Sequence, residues 1–340
     1  VTSLQREDAS VRSSYVTATA DCTPERTADV GGKAVGLGHL IRAGHRVPLS
    51  FVVTSSGYRR FASAVSGGFP TDLREEIEAA YATLSGSGTV PVAVRSSATV
   101  EDSTEASCAG QFRTFLGATG TDEVLEGVAG CFTSALDPRV NSYTTQRGLA
   151  DSGAVAVIVQ QLVDARLSGV MFTRHPTNGD PSLVVIESTY GLGEAVVGGE
   201  VTPDLIEVNK VTGEVQSRLV GSKSMEHRLA GDHRSVERRA VDDSRRSAFS
   251  IGDEEIGSLL EMATDLEAKL GRGLDIEWAI GSIAGVDGPA ELFALQVRPI
   301  TATARNETAV RPGHAVDRNP IDAVLGRLSR RHERENGDGS

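Results

Sequence analysis

Helices and strands mixed in two lobes, α/β or α+β, are what this sequence predicts. Three observations predict it. Amphipathic helical stretches and short apolar strands follow one another from about residue 30 to residue 300. Glycines punctuate them at their ends. Two strands near the end of that region alternate polar and apolar positions. At 340 residues the chain is long enough for one large domain or two ordinary ones.

The elements are read in order. Residues 1–20 are small and polar with no sustained period, a disordered leader. Gly31-Gly32 lead into a helix carrying Val35, Leu37, Leu40 and Ile41; Gly44 ends it, and Phe51-Val52-Val53 starts a strand. Leu73 to Leu84 has the period of an amphipathic helix, and "VPVAVRSSA" reads as a short buried strand. Residues 122–136 read as a helix that stops before Asp137-Pro138, because the residue before proline avoids helical geometry. "AVAVIVQQLV", "SGVMFT" and "LVVIEST" read as buried strands. The stretch 230–247 is charge-dense with almost no apolar positions, an exposed loop. Ser250 is the expected N-cap of a helix to Leu270, whose Ile256, Leu259, Leu260, Ala263 and Leu266 share one face before Gly271. Beyond Asn306 the chain is polar, a flexible tail over 304–340 with a short helix expected at Ile321–Leu328.

Composition narrows the function. A net charge of −12 argues against nucleic acid as a partner. Cys22, Cys108 and Cys131 have neither CxxC spacing nor clustered histidines, as expected of reduced, structural thiols. No run approaches the ~18 apolar residues of a membrane helix, and no signal-peptide core is present, so a cytoplasmic enzyme with no membrane partner is expected.

"LDIEWAI" puts Ile276, Trp278 and Ile280 on one face and Asp275 and Glu277 on the other. In "LFALQVRPIT", Phe293, Leu295 and Val297 make one face while Gln296 and Arg298 share the other. Pairing these two strands gathers Asp275, Glu277, Gln296 and Arg298 on one surface. Two carboxylates and an amide oxygen are hard ligands suited to Mg²⁺, and an arginine beside them suits a phosphate oxygen. A solvated strand face is the alternative. Lys33 follows two glycines at a helix start, where free N–H groups favour anions. It is not a Walker A lysine, because Thr27 and Ala34 stand where that motif needs glycine and serine or threonine. Arg95 ends an apolar strand beside two serines, a reasonable phosphate contact.

The segments "GGKAVGLGHL", "VAVRSSATVEDSTEASCAGQFRTFLG", "VIVQQLV", "SGVMFT", "GLGEAVVGG", "TPD", "DIEWAI" and "LQVRPIT" appear in one order and spacing over residues 28–303. In this the chain resembles the nucleotide-binding domain of pyruvate phosphate dikinase, phosphoenolpyruvate synthase and rifampicin phosphotransferase. The resemblance implies an α+β, ATP-grasp-like fold, with an N-terminal lobe over 21–155, a C-terminal lobe over 156–303 and ATP between them. It also implies roles. Lys33 and Arg95 would bind phosphate; Gly110 and Thr114, in "AGQFRT", would belong to a loop closing over the triphosphate. Gln160, Gln161, Leu162 and Val163 would form a hinge whose backbone meets adenine. Asp275, Glu277 and Gln296 would organise Mg²⁺, and Arg298 would contact the terminal phosphoryl group. Lys33, Arg95, Glu277 and Arg298 are the expected catalytic set. Glu194 and Lys223 match family positions but suit loop architecture equally well. His175 is expected to be a turn residue, and His314 is not expected to be a phosphoryl acceptor.

Long members of that family carry a further domain with a phosphoryl-accepting histidine, and no such segment follows "RPIT". Three readings result: a dikinase-type subunit that phosphorylates a histidine on a separate carrier protein, a kinase acting directly on a small molecule, and a non-catalytic nucleotide-binding module.

Overall fold

The computed structural model describes residues 14–64, 69–86, 89–98, 114–135, 155–271 and 273–300. Within them two antiparallel sheets carry the molecule. The first has the order β1-β2-β5-β3-β4, built from β1 (Val16–Ala18), β2 (Ser50–Val53), β3 (Val92–Ala98), β4 (Thr114–Ala118) and β5 (Val155–Gln161). The second has the order β13-β12-β6-β7-β8-β9, from β6 (Val163–Phe172), β7 (Leu183–Tyr190), β8 (Asp204–Asn209), β9 (Val215–Leu219), β12 (Leu274–Ile283) and β13 (Glu291–Pro299). A separate hairpin pairs β10 (Met225–Leu229) with β11 (Val236–Ala240). Antiparallel pairing throughout decides for α+β over α/β.

Helix α1 (Thr27–Arg42) lies between the sheets. Its Ala34, Leu37 and Leu40 share one buried cluster with Val52 and Ile158 of the first sheet and Met171, Ile276 and Trp278 of the second. Trp278 and Met171 are fully buried. The far side of the same cluster is closed by Ile256, Leu259, Ala263 and Leu266, the apolar stripe of the long C-terminal helix (Asp253–Leu270). The other face of the first sheet packs under α2 (Ser55–Ala62), α3 (Thr71–Ser85) and α4 (Thr121–Ala135) through Tyr58, Leu73, Ile77, Val128 and Phe132.

Two glycines set how closely α1 approaches. Gly31 breaks the helix with φ 79°, a left-handed value that side chains with a Cβ rarely adopt, and a Cβ there would stand 2.0 Å from the Ser97 carbonyl oxygen. A Cβ on Gly36 would stand 2.3 Å from the Val297 carbonyl oxygen, so α1 lies directly on the β13 backbone.

Several expectations change. The leader is not disordered to residue 20: Val16, Thr17 and Ala18 pair with Val53, Val52 and Phe51. The lobe boundary expected at 155/156 falls inside β5, which belongs wholly to the first sheet; the chain crosses to the second sheet at Leu162. Ser250 does not cap the long helix. Its N–H and hydroxyl both bond Asp204 Oδ2 at 2.7 Å, and Gly252 takes the N-cap with Glu255 reaching back to its N–H. Residues 230–247 are not all loop, since β11 and a short helix (Asp243–Arg246) lie there. Gly110, Cys108, His314, the tail and the helix expected at 321–328 lie outside the described residues.

Candidate active site

β12 and β13 pair antiparallel with Asp275 opposite Arg298 and Glu277 opposite Gln296, so the four polar side chains do share one surface. Residues directly opposite in an antiparallel pair project from the same face. The register shifts immediately after Glu277, leaving Leu295 as an extra residue in β13. The bulge overturns one detail of the alternation: Phe293 and Leu295 join the cluster between the sheets, while Val297 turns into the core beneath α1.

Arg95 comes from the other sheet. It stands on β3 opposite Thr114, and one of its terminal nitrogens, Nη2, lies 3.0 Å from Gln296 Oε1 and 3.3 Å from Glu277 Oε2. Arg95 and Glu277 are each about one-fifth exposed, at 19% and 20%. On the neighbouring row Arg298 Nε donates to Asp275 Oδ2 at 2.8 Å. Lys33 falls in the first turn after the break at Gly31, and its Nζ donates to the Ser96 carbonyl at 3.4 Å. Ser97 fastens this corner, accepting from the Ala34 N–H at 3.2 Å and donating to the Val30 carbonyl at 2.9 Å.

The crossing at Leu162 shapes the opposite end. Leu162 donates its N–H to the Pro91 carbonyl at 3.0 Å and accepts from the Ala284 N–H at 2.8 Å, so both its backbone groups are engaged within the protein. The Gln161 N–H turns the other way, to the Leu49 carbonyl at 2.8 Å, as alternation along a strand requires. Side chains of Gln160 and Gln161 point to the Pro48 and Leu84 carbonyls and not toward the cleft. Leu162, Ala93, Leu116, Ala279 and Phe293 line an apolar layer between the sheets, with Leu229 and Val236 of the hairpin added to it. Val163 at this end and Val170 beside Glu277 are seven residues apart along β6, roughly 23 Å of strand.

One acidic group was not foreseen. Glu187 of β7 lies opposite Val170, which lies opposite Glu277, so it shares their row and face. It is 7% exposed and makes no hydrogen bond or ion pair among the described residues. Burial first, and the Asp275 charge second, push its carboxyl up to about 7. A carboxylate inside the otherwise apolar run "LVVIEST" was the available signal. Glu194 begins the short helix Glu194–Val197; burial raises its carboxyl, while His227 and Arg95 pull the other way.

Other expectations resolve as architecture. Lys223 and Asp204 form a fully buried ion pair, with Lys223 Nζ also on the Gly221 and Arg246 carbonyls. His175 is a turn residue: its N–H bonds the Asp180 carbonyl, Nδ1 accepts from Thr177 N–H at 3.3 Å, and Nε2 lies 3.4 Å from Glu207. Cys22 and Cys131 are buried free thiols, and burial pushes that of Cys22 up to about 11.

The donor set fits a divalent cation. Mg²⁺ takes oxygen ligands from one or two carboxylates and completes its shell with water and substrate phosphates, and Asp275, Glu277 and Gln296 are oxygen donors of that kind. No group of three His, Cys, Asp or Glu side chains able to hold a metal exists among the described residues.

Residues 63–317 match the family model for the pyruvate phosphate dikinase AMP/ATP-binding domain. The chain belongs to that family. Curated relatives agree with it. A phosphoenolpyruvate synthase of Aeropyrum pernix is 36% identical over 82% of this chain and 41% of its own length. A prodigiosin synthesizing transferase of Serratia marcescens is 36% identical over 81% of this chain and 32% of its own length. The chain thus spans less than half the length of either relative. Among solved structures, D-alanyl-alanine synthetase A from Vibrio cholerae aligns over 84% of this chain and 60% of its own, at 10% identity and a TM-score of 0.36, too low to carry an argument.

Proposed function

We propose that this pyruvate phosphate dikinase-type domain binds Mg·ATP between its two sheets and passes a phosphoryl group to a histidine on a separate carrier protein. The observation that carries the reading is the meeting of Arg95, from one sheet, with Glu277 and Gln296 of the other. Cation ligands and phosphate-binding cations come together there from two elements far apart in the chain. The relatives named phosphoenolpyruvate synthase support a dikinase-type reaction.

In this reading, adenine lies in the apolar layer at the Leu162 crossing, facing the Gln161 carbonyl and the Val163 N–H. Leu162, with both backbone groups engaged, contributes packing only. Lys33, Arg95 and Arg298 contact phosphate oxygens and orient the transferred group, with Gly110 and Thr114 in the loop that covers the triphosphate. Asp275, Glu277 and Gln296 hold Mg²⁺, which when bound bridges phosphate oxygens and offsets their charge. The two sheets keep water from the transferred group. The second reading, direct transfer to a small molecule, is favoured by the relative named as a biosynthetic transferase. A module without turnover is disfavoured because every position expected to meet nucleotide is filled by a suitable residue. No described helix is long and apolar enough to cross a membrane, which accords with a cytoplasmic setting.

Product analysis tests the proposal. AMP with free phosphate, formed from ATP in the presence of Mg²⁺, supports the dikinase reading, and ADP supports direct transfer. Calorimetry showing ATP binding indifferent to metal chelation refutes the assigned roles of Asp275, Glu277 and Gln296.

A further inference from the structure

Each side chain assigned to the cation is already held by an arginine. Arg95 Nη2 lies against both Gln296 Oε1 and Glu277 Oε2, and Arg298 Nε against Asp275 Oδ2. Two guanidinium charges offset two carboxylate charges. A bare divalent cation entering this surface meets no net charge from these four groups. It gains its ligands only by displacing an arginine and leaving that charge without its partner in a partly buried cleft, which is unfavourable. A triphosphate entering alone faces the mirror problem, because taking Arg95 or Arg298 strips Glu277 or Asp275 of its counter-charge. When both enter together, every charge regains a partner. The arginines move from carboxylate to phosphate oxygen, for which the guanidinium fork is equally suited, and the cation takes the carboxylates.

Building on the Mg·ATP reading, we infer that Arg95 and Arg298 stand in for the cation in the nucleotide-free protein, so that the metal enters with nucleotide and hardly at all without it. Arg95 is then both a phosphate contact and the placeholder that keeps Glu277 and Gln296 in position. Because coupling between two ligands is reciprocal, metal and nucleotide each strengthen the other's binding by the same factor.

Mn²⁺ binding to the full chain, followed by electron paramagnetic resonance, tests this without turnover. With a non-hydrolysable imido analogue of ATP present, wild-type protein should bind Mn²⁺ at least about tenfold more tightly than without it, the middle of the usual range for coupled sites. Arg95→Met keeps the apolar stem and removes the guanidinium. It should bind Mn²⁺ without nucleotide about tenfold more tightly than wild type, and adding Glu277→Gln should abolish the gain. Equal Mn²⁺ affinity of wild type with and without bound analogue overturns the inference, as does an Arg95→Met protein with unchanged affinity for bare Mn²⁺. Should Arg95→Met fail to fold, the wild-type comparison decides alone. If wild type binds no analogue with any metal, the proposed function falls, and the response of bare Mn²⁺ to Arg95→Met still decides this inference.

Discussion

Replacing Glu187 by glutamine should stabilise the nucleotide- and metal-free protein above neutral pH and change little under acid conditions. The glutamate is 7% exposed and has no cation against it, so ionising it in the folded chain is costly. Its carboxyl is pushed from 4.5 to about 7, by burial first and by Asp275 second. The folded protein therefore holds a proton on Glu187 across a range in which the unfolded chain has released it. That contribution to stability is complete below about pH 4.5, declines as pH rises, and is gone above about pH 7. An interval of roughly 2.5 pH units at about 1.36 kcal/mol each gives about 3 kcal/mol between the two limits. Glutamine is neutral throughout and nearly the same shape. Urea unfolding at pH 5 and pH 8 in chelator-treated buffer should place the Glu187→Gln midpoint close to wild type at pH 5. At pH 8 it should lie above wild type by up to about 3 kcal/mol after multiplication by the slope. A variant less stable than wild type at pH 8, or a difference independent of pH, would refute the reasoning and imply a counter-charge near Glu187.

Three other changes follow from the same geometry. Glu277→Gln should leave the fold intact and lower ATP turnover by roughly 10²–10³-fold, the scale of one lost electrostatic contact to a transition state, as read in a steady-state assay. Gly36→Ala places a methyl against the Val297 carbonyl and should cost about 1–3 kcal/mol in urea unfolding as α1 is lifted from β13. Lys223→Met leaves Asp204 charged and buried without its cation, and should lower stability by about 3–5 kcal/mol while ATP affinity in the folded fraction stays unchanged.

What the sequence conveys is set by how far each interaction reaches. Helix α1, the helical stripe of residues 256–266 and the alternation of β12 all depend on spacing within one segment, and all were legible. So was the pairing of Asp275 with Arg298 and Glu277 with Gln296, because the two strands adjoin in the chain and each exposes its polar residues with the same period. Failures arose where a distant residue outcompeted a local preference. Ser250 has the right chemistry for an N-cap, yet Asp204, 46 positions earlier, offers its hydroxyl a charged acceptor inside a buried network. The stretch after residue 230 looked coreless because β11 brings only Val236 to the apolar layer and leaves its other side chains largely exposed.

Glu187 marks the boundary most sharply. Its own strand reads as buried, and nothing within "LVVIEST" tells which strands flank it. Only the order β13-β12-β6-β7, which brings strands about a hundred residues apart into one sheet, aligns Glu187 with Glu277 and Gln296. Two arginines neutralise Glu277 and Asp275, and none reaches Glu187 among the described residues. The sheet thus ends its polar row with a charge the fold does not compensate. An uncompensated buried carboxylate is unfavourable for stability, and such groups concentrate where a ligand supplies the missing partner. If Glu187→Gln proves more stable at pH 8 yet loses Mg·ATP affinity, that cost is borne for the nucleotide site. If it gains stability with affinity intact, the residue belongs to the acceptor side of the cleft or to no ligand at all.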